Sequence, residues 1–432
     1  MLKDLKGYLF LIFIEGISQL GSSLTVFALN IWAWQTYGVV SAISSVTISF
    51  YLPMLILGPI AGIFVDRLNR KSILIVTNIF LAITIGILSI FIKSGSLALS
   101  FIYIFGFIHA MFTSIRQPTI VAVMATMVDK EQLKRVNGIV QSVKAISSVA
   151  GPFLGAVFIN IIGAFGIIMV DAVTFLVVAI GVSIVAIPRV KKIHSVEENS
   201  NNLRSIFIDL IDGWKFLVRN KGLLLIVIVD FAANFFGAFL VVLLLPMASE
   251  VWTNNFNING IVGFMSKFSS GDSLADQIYG VMNTMLFVGV FIGSILMSTW
   301  GGFKNDILNL FIGFVFTGLT QAFVASDSIN IALIAIVLSG IAAPAVNVTM
   351  QAIFMRNTPH ELQGRVFSTL DTIAQISYPL GLFVVGILAD KISSQSILFA
   401  SGIIAAIVSA VFFINPKLRN YEGKSESVVE EN

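Results

Sequence analysis

The chain has 432 residues, of which 57% are hydrophobic and only 11% are charged, and its formal net charge is +3. A soluble domain carries about 25% charged residues, so this chain has too little polar surface for a soluble fold. It has no cysteine, which excludes disulfides, thiolate catalysis and cysteine-based metal sites. The composition predicts a protein that folds within a lipid bilayer.

Twelve apolar segments are long enough to cross the bilayer, which takes about 20 residues in a helix. The first segment is far longer than the apolar core of a signal peptide, so we expect it to be a retained helix. The predicted fold is all-α with twelve transmembrane helices. These spans are 7–35, 39–65, 72–92, 98–127, 133–162, 164–187, 222–248, 276–300, 306–325, 329–355, 361–389 and 393–415.

The basic residues mark one side of the membrane. If the N-terminus lies inside, most of the 26 Lys and Arg residues fall in segments on the inner side, and only Lys93, Lys267 and Lys391 fall in outer loops. Positive charge is retained on the cytoplasmic side of a membrane. With an even number of spans, both termini are therefore predicted to be cytoplasmic.

The spans divide into six plus six around a polar loop. We predict an N-terminal six-helix bundle at 1–187, a linker at 188–221, a C-terminal six-helix bundle at 222–416 and a cytoplasmic tail at 417–432. Apolar residues at helical spacing in the linker predict an amphipathic helix at the inner membrane face, although a plain linker helix has the same pattern. The long outer loop at 249–275 is either a lid or an insert.

The stretch "GIFVDRLNRKS" concentrates charge in the loop between spans 2 and 3. It resembles motif A of the major facilitator superfamily, Gly-x-x-x-Asp-Arg-x-Gly-Arg-Lys. Asn69 stands where the second glycine is usual, and we expect it to adopt the left-handed turn that asparagine tolerates. The matching residues are Gly62, Asp66, Arg67, Arg70 and Lys71.

The motif A resemblance implies a conformational latch. In that interpretation Asp66 reaches the cytoplasmic end of span 11 and the contact breaks when the two halves rock. A local ion pair between Asp66 and the neighbouring basic residues is the alternative.

A second motif lies in span 5, where "GPFLG" places Gly151, Pro152 and Gly155. It resembles motif C of drug exporters in the same superfamily. Segments such as "QPTIVAVMATMVDKEQLKRVNG" and "DAVTFLVVAIG" are similar to the third drug:proton antiporter group, which includes the macrolide-efflux proteins. The resemblance implies two pseudo-symmetric six-helix bundles with these small residues at the seam between them; ordinary close packing is the alternative.

Charged residues within the spans are the candidate functional groups, because charge in lipid is costly and normally faces a cavity or a partner. Glu15 in span 1 and Asp230 in span 7 lie at similar depth. The resemblance implies that spans 1, 4, 7 and 10 line a central cavity. The two carboxylates are then candidates for carrying the coupled proton or attracting a cationic substrate, with a structural ion pair as the alternative.

Four more polar residues lie within the spans. Arg116 in span 4 is at the depth of Glu15 and is its natural partner. His109 lies two turns outward on much the same face, where it either titrates near pH 7 or fills a structural role. Lys144 in span 5 and Asp371 in span 11 occupy equivalent places in the two halves, and we interpret them as polar contacts at the seam.

The function predicted from these features is secondary active transport. No nucleotide-binding signature and no nucleophile–base constellation is present in the sequence, so we predict no enzyme activity, no cofactor and no metal, with a proton gradient as the energy source. We expect a monomeric, multi-pass protein of a bacterial plasma membrane that exports lipophilic small molecules by alternating access and has no nucleic-acid partner. The alternative is a dedicated exporter of one metabolite, such as a siderophore, a peptide or a lipid.

Overall fold

The computed structural model describes residues 5–129, 132–188, 203–253 and 274–414. Within these ranges it describes no side chain at positions 5, 58–67, 125, 133–135, 137, 141, 145, 148–149, 203–210, 360–361 and 414. All the secondary structure of the described residues is helical. Because lipid offers no hydrogen bonds to the backbone, apolar segments of this length satisfy their own N–H and C=O groups as helices.

Twelve α-helices are present in the described part of the chain, and eleven of them are long and apolar enough to cross a membrane. The exception is α6, which lies inside the predicted linker. A short π-helical turn, Ala248–Trp252, continues α7. The helices are α1 (Leu5–Tyr37), α2 (Val40–Arg67), α3 (Arg70–Lys93), α4 (Leu99–Met127), α5 (Leu133–Ile184), α6 (Leu203–Arg219), α7 (Lys221–Met247), α8 (Leu274–Trp300), α9 (Asp306–Val324), α10 (Ile329–Asn357), α11 (His360–Ala389) and α12 (Ser394–Ile414).

Helix α5 is 52 residues long and is broken at Gly163, whose φ of +65° and ψ of 177° are not helical. Glycine accepts this conformation because it has no Cβ. The break divides α5 into a first arm, 133–162, and a second arm, 164–184. These arms coincide with two of the predicted spans.

Both arms of α5 pack against α1, in opposite directions. Along the first arm, Gly151 meets Ser23 and Gly155 meets Phe27, so the first arm and α1 run in the same direction. Along the second arm, Asp171 meets Gly21 whereas Gly181 meets Ile14. The chain therefore reverses direction at Gly163.

The chain divides into two compact units, the first comprising 1–203 and 259–281 and the second 204–258 and 282–432. In the first unit α1 packs on α5, α2 on α4, and α3 on α4 and α5. In the second, α7 packs on α11 and α12, and α9 on α10 and α12. Helix α8 contacts α10 through Gly289 and Gly293. The same pattern of neighbours thus recurs in both units.

Each unit has its own apolar core. In the first unit the core joins Tyr8 and Leu11 of α1 to Met127 of α4 and Val182 of α5. In the second unit it joins helices α7, α9, α10 and α11 and includes Leu217 of α6. Of the predicted outer loop, 249–275, the structure describes 249–253, which follow α7, and 274–275, which begin α8; the rest of the loop and the predicted tail, 417–432, lie outside the described residues.

Candidate functional site

A cavity of about 260 Å³ lies within the first unit, between α1, α3, α4 and both arms of α5. Most of its wall is apolar, which suits a lipophilic ligand. A few polar groups interrupt that wall and are placed to orient such a ligand. They are Tyr8, Glu15 and Gln19 of α1, Gln117 of α4 and Lys144 of α5.

The carboxylate in the cavity wall, Glu15, forms an ion pair with Arg116 of α4, as its depth suggested. The side chain of Arg116 is 6% exposed and that of Glu15 is 16% exposed. The guanidinium also lies over the ring of Phe175, 5.5 Å from its centroid, which adds a cation–π contact. An ion pair buried to this degree costs desolvation energy, so we interpret it as a device that positions charge rather than as a source of stability.

The imidazole of His109 lies in an aromatic environment. Its ring centroid is 5.1 Å from that of Phe50 and 6.3 Å from that of Phe175. Its Nδ1 has no hydrogen-bond partner among the described residues. The ring of Phe175 is thus a common neighbour of His109 and Arg116, and the structure brings both residues into the same region of the first unit.

The structure places Lys144 on the wall of the cavity that contains Glu15, and its predicted role as a polar contact at the seam stays a prediction. Val140, Val143 and Lys144 line this wall together, and their spacing of three and four residues puts them on one face of α5. This spacing, which is visible in the sequence, could have predicted that Lys144 shares a face of α5 with Val140 and Val143. Tyr8 lies seven residues, or about two turns, before Glu15 on α1, and this spacing could also have indicated that the two share a face. Gln117 directly follows Arg116 and had no such spacing to indicate its place in the wall.

A buried carboxylate that is not among the predicted site residues is Asp171, on the second arm of α5. It is fully buried and accepts hydrogen bonds from Thr25 Oγ1 at 2.7 Å, Ser22 Oγ at 3.2 Å and Thr174 Oγ1 at 3.4 Å. Two of these donors belong to α1, so the carboxyl group joins α1 to the second arm of α5.

The carboxylate predicted in the second half, Asp230, lies on α7 and is partly buried. The amide of Asn234, one turn along, donates to the Asp230 backbone oxygen at 2.9 Å. No ion pair is formed by Asp230 with the described residues. Asp371 is exposed on α11. Because both residues belong to the second unit, the predictions that Asp230 faces Glu15 and that Asp371 lies at the seam stay predictions.

Two motif A residues bind backbone oxygens of other helices in their own unit, and one of them, Lys71, does so at a helix end. Arg70 Nη1 donates to the Ala122 oxygen of α4 at 2.9 Å. Lys71 Nζ donates to the oxygens of Ser183 and Val185, at 2.7 and 2.9 Å, where α5 ends. A cation at a helix C-terminus satisfies its free carbonyls and complements its dipole. The structure describes no side chain at 58–67, the range that contains Gly62, Asp66 and Arg67. The latch therefore stays a prediction.

The expectation of a left-handed turn at Asn69 was wrong. Its φ is −70° and its ψ is 117°, and its side chain accepts hydrogen bonds from the backbone N–H groups of Lys71 at 3.0 Å and Ser72 at 3.5 Å. Asparagine therefore serves here as the N-cap of α3, which satisfies backbone donors left free at the start of the helix.

The motif C glycines allow α5 to approach α1 closely. A methyl group added at Gly155 would lie 2.6 Å from Phe27 Cδ1, and one added at Gly151 would lie 2.6 Å from Ser23 Cβ. A methyl group added at Gly280, at the start of α8, would lie 3.1 Å from the Pro152 oxygen. These contacts belong to the first unit, and the seam role of Gly151, Pro152 and Gly155 stays a prediction.

The start of α8 is held to α1 by contacts that the sequence did not indicate. Gln35 Nε2 donates to Asp276 Oδ2 at 2.9 Å, and Asn30 Nδ2 donates to the Tyr279 hydroxyl at 3.2 Å. The rings of Phe27 and Tyr279 stack at 5.0 Å. Residues 274–281 therefore join the first unit.

Comparison with known proteins agrees with this architecture. The sequence profile of the Major Facilitator Superfamily matches residues 11–271 and 251–429. Macrolide efflux protein A of Streptococcus pyogenes is 24% identical over 402 residues, covering 92% of this chain and 93% of that protein. The putative bacilysin exporter BacE of Bacillus subtilis is 24% identical over 406 residues, covering 91% and 92%.

A solved structure shares the fold at low sequence identity. A POT family transporter, crystallised in complex with 5-aminolevulinic acid, superposes with a TM-score of 0.70 and 10% identity over 96% of both chains. The matched relatives are transporters found in bacteria, in keeping with a multi-pass protein of the plasma membrane rather than an enzyme. The chain belongs to the major facilitator superfamily.

Proposed function

We propose that the chain is a secondary active transporter that exports lipophilic small molecules by proton-coupled alternating access. The observation that carries this proposal is the cavity of the first unit, whose apolar wall contains the ion-paired carboxylate of Glu15. The macrolide efflux relative supports a bulky, lipophilic substrate class.

The proposed topology has twelve spans with both termini in the cytoplasm. Helix α5 supports two of these spans, because its arms run in opposite directions along α1. A continuous helix of its length would extend about 78 Å, far more than the roughly 30 Å of a bilayer core. The predominance of basic residues in the segments assigned to the inner side supports the orientation.

In the proposed mechanism Glu15 exchanges a proton for the substrate. Arg116 holds the carboxylate ionised in the cavity wall while the substrate is bound. Protonation of Glu15 breaks the ion pair and releases Arg116, which changes the packing of α1 against α4. Asp230 plays the corresponding role in the second half. The motif A latch and the contacts of α1 with the start of α8 close the transport path in turn, each on one side of the membrane. The transporter works as a monomer in the bilayer without a cofactor.

The test is transport in proteoliposomes with an imposed pH gradient and no ATP. Ethidium and a radiolabelled macrolide are the probes, and we expect movement that collapses when nigericin removes the gradient. Glu15→Gln should abolish the dependence on the gradient while Asp327→Asn, an exposed loop variant, should leave it intact. Glu15→Gln with unchanged pH dependence would count against the role of Glu15.

The second candidate is export of one dedicated metabolite, favoured by the similarity to the putative bacilysin exporter. It predicts that neither ethidium nor the macrolide moves under any gradient although the protein is folded. Biosynthetic genes beside the coding sequence would support it further.

A further inference from the structure

One face of α1 carries a continuous row of polar side chains. Glu15, Ser18, Ser22 and Thr25 follow one another at intervals of three, four and three residues, the spacing that places side chains on one side of a helix. The row meets Arg116 at Glu15, and it meets Asp171 at Ser22 and Thr25. It therefore joins two carboxyl groups of the same unit. Along α1, Ser22 lies seven residues, or about 10 Å of helix rise, beyond Glu15.

The two carboxyl groups differ in their partners. Glu15 has Arg116 as its counter-ion, whereas Asp171 receives only hydroxyl hydrogen bonds and forms no ion pair with the described residues. A fully buried carboxylate without a counter-ion is unfavourable, and protonation removes its charge. Hydroxyl groups both donate and accept, so Ser22, Thr25 and Thr174 can bind either form of the carboxyl group.

Unpartnered polar atoms lie along the row. Three buried atoms have no hydrogen-bond partner among the described residues: Glu15 Oε1, Ser18 Oγ and Arg116 Nε. Buried polar atoms in folded proteins almost always have a partner, which is often an ordered water molecule. Ser18 lies between Glu15 and Ser22 in the row, where a water molecule would complete a chain of hydrogen bonds.

We propose that Asp171 is a second proton-binding group of the first unit and that it exchanges protons with Glu15 along the α1 row of Ser18, Ser22 and Thr25. The net direction in which protons move between Asp171 and Glu15 is the part of this proposal that rests on the proposed function. In each transfer the proton of the Asp171 carboxyl group passes by hydroxyl and water hydrogen bonds to Glu15 Oε1. Asp171 becomes the carboxylate, Glu15 becomes the neutral acid, Arg116 stays protonated, and the total charge is unchanged.

Other charged and titratable groups near this path come from four helices. Helix α1 contributes Tyr8 and the first arm of α5 contributes Lys144, which line the cavity with Glu15. Helix α4 contributes Arg116 and His109, which both contact Phe175, one turn beyond Asp171. Helix α3 contributes Lys93, whose Nζ lies 4.7 Å from the ring centroid of Phe165, one to two turns before Asp171. Arg116 forms its ion pair with Glu15, and its charge also acts electrostatically on Asp171, so it is the counter-charge nearest to both ends of the path.

Infrared difference spectroscopy on proteoliposomes tests the proposal without any substrate. We expect a carbonyl band of a protonated carboxyl group that disappears on alkalinisation in the native protein, in Glu15→Gln and in the exposed control Asp327→Asn. The band should be absent in Asp171→Asn. A spectrum of Asp171→Asn identical to that of the native protein at every pH would overturn the proposal.

Two further variants separate proton binding from a structural role. Ser22→Ala with Thr25→Val keeps the carboxyl group but removes two donors, so the band should move to higher frequency; an unmoved band would contradict the assignment, even if Asp171→Asn does not fold. Ser18→Ala should slow proton transfer after a pH jump about tenfold, the effect of losing roughly one hydrogen bond from the path. A native transfer rate in Ser18→Ala would exclude the row as the path.

Transport assays distinguish this proposal from the proposed function. In one outcome the native protein moves ethidium with the pH gradient, and Asp171→Asn does so at the same rate and with the same pH dependence. This result overturns the role of Asp171 and leaves the proposed function standing. Native protein with no gradient-driven transport, but with the Asp171 band present, overturns the proposed function and retains the proton site.

Discussion

Helix α1 of the first unit and helix α7 of the second each carry a carboxylate, and the surroundings of the two carboxylates differ. Glu15 is paired with Arg116, whereas Asp230 has the amide of Asn234 one turn away and no ion pair with the described residues. The two units repeat the same pattern of helix neighbours but not the same electrostatics. The repeat of helix packing therefore does not extend to the partners of the two carboxylates.

The small residues of two helix pairs, α1 with α5 in the first unit and α8 with α10 in the second, show a second difference. In the first, Gly155 faces the ring of Phe27, a side chain that can move. In the second, Gly289 faces the Val337 oxygen and lies so that an added methyl group would be 3.0 Å from Gly340 Cα. Helices α8 and α10 therefore meet backbone to backbone, which is the closest approach that helices make in lipid.

The largest expected effect comes from removing Arg116. Arg116→Met leaves the Glu15 carboxylate buried without a partner, and we expect a loss of about 3–5 kcal/mol in the free energy of unfolding. The loss should shrink at acidic pH, because protonation of Glu15 removes the unpaired charge. Thermal unfolding in lipid nanodiscs at two pH values measures it.

The matched control in the other unit is Asp230→Asn, which removes a carboxylate that has no ion pair with the described residues. We expect it to cost about 1 kcal/mol or less, the value of a single hydrogen bond. Equal losses for Arg116→Met and Asp230→Asn would show that the electrostatic difference between the units is not real.

The next effect tests the packing difference. Gly289→Ala should destabilise the second unit by about 1–3 kcal/mol, because a backbone oxygen and a helix axis must move to admit the methyl group. Gly155→Ala should cost less than half as much, since the Phe27 ring can rotate away. Unfolding temperatures of the two variants give the comparison, and a larger loss for Gly155→Ala would reverse it.

A smaller effect is expected from the helix-end contacts of motif A. Lys71→Met removes a cation from the C-terminus of α5 and leaves the oxygens of Ser183 and Val185 without this donor. We expect a loss of about 1 kcal/mol. Lys304→Met, an exposed lysine of the second unit, is the control and should be neutral. If both variants lose the same stability, the effect belongs to the loss of positive charge and not to the helix end.

The smallest effect is predicted for the ion pair between Arg365 of α11 and Asp212 of α6, which are 3.1 Å apart and partly exposed. A double-mutant cycle with Arg365→Gln and Asp212→Asn should give a coupling of about 0.2–1 kcal/mol that decreases in high salt. A coupling that is larger and insensitive to salt would mean that α6 is fixed to α11 as firmly as the helices within the core.

Much of the fold followed from the sequence. Long apolar segments predict membrane helices because the backbone has no other partner in lipid. The pairing of Glu15 with Arg116 was also predictable, since the constant rise of a helix converts residue number into depth. The N-cap role of Asn69 was missed because the comparison with motif A directed attention to the glycine it replaces.

The sequence by itself determined that the chain is helical and embedded in a membrane, and at what depth each charged residue lies. Only the tertiary structure decided which residues meet at that depth: Lys144 in the wall of the Glu15 cavity, Asp171 against Ser22 and Thr25, and Lys71 on the end of α5. The reason is rotational. In water an amphipathic pattern shows which face of a helix points inward. In these helices most of the surface is apolar on every side, so packing mainly sets the rotation of each helix about its axis.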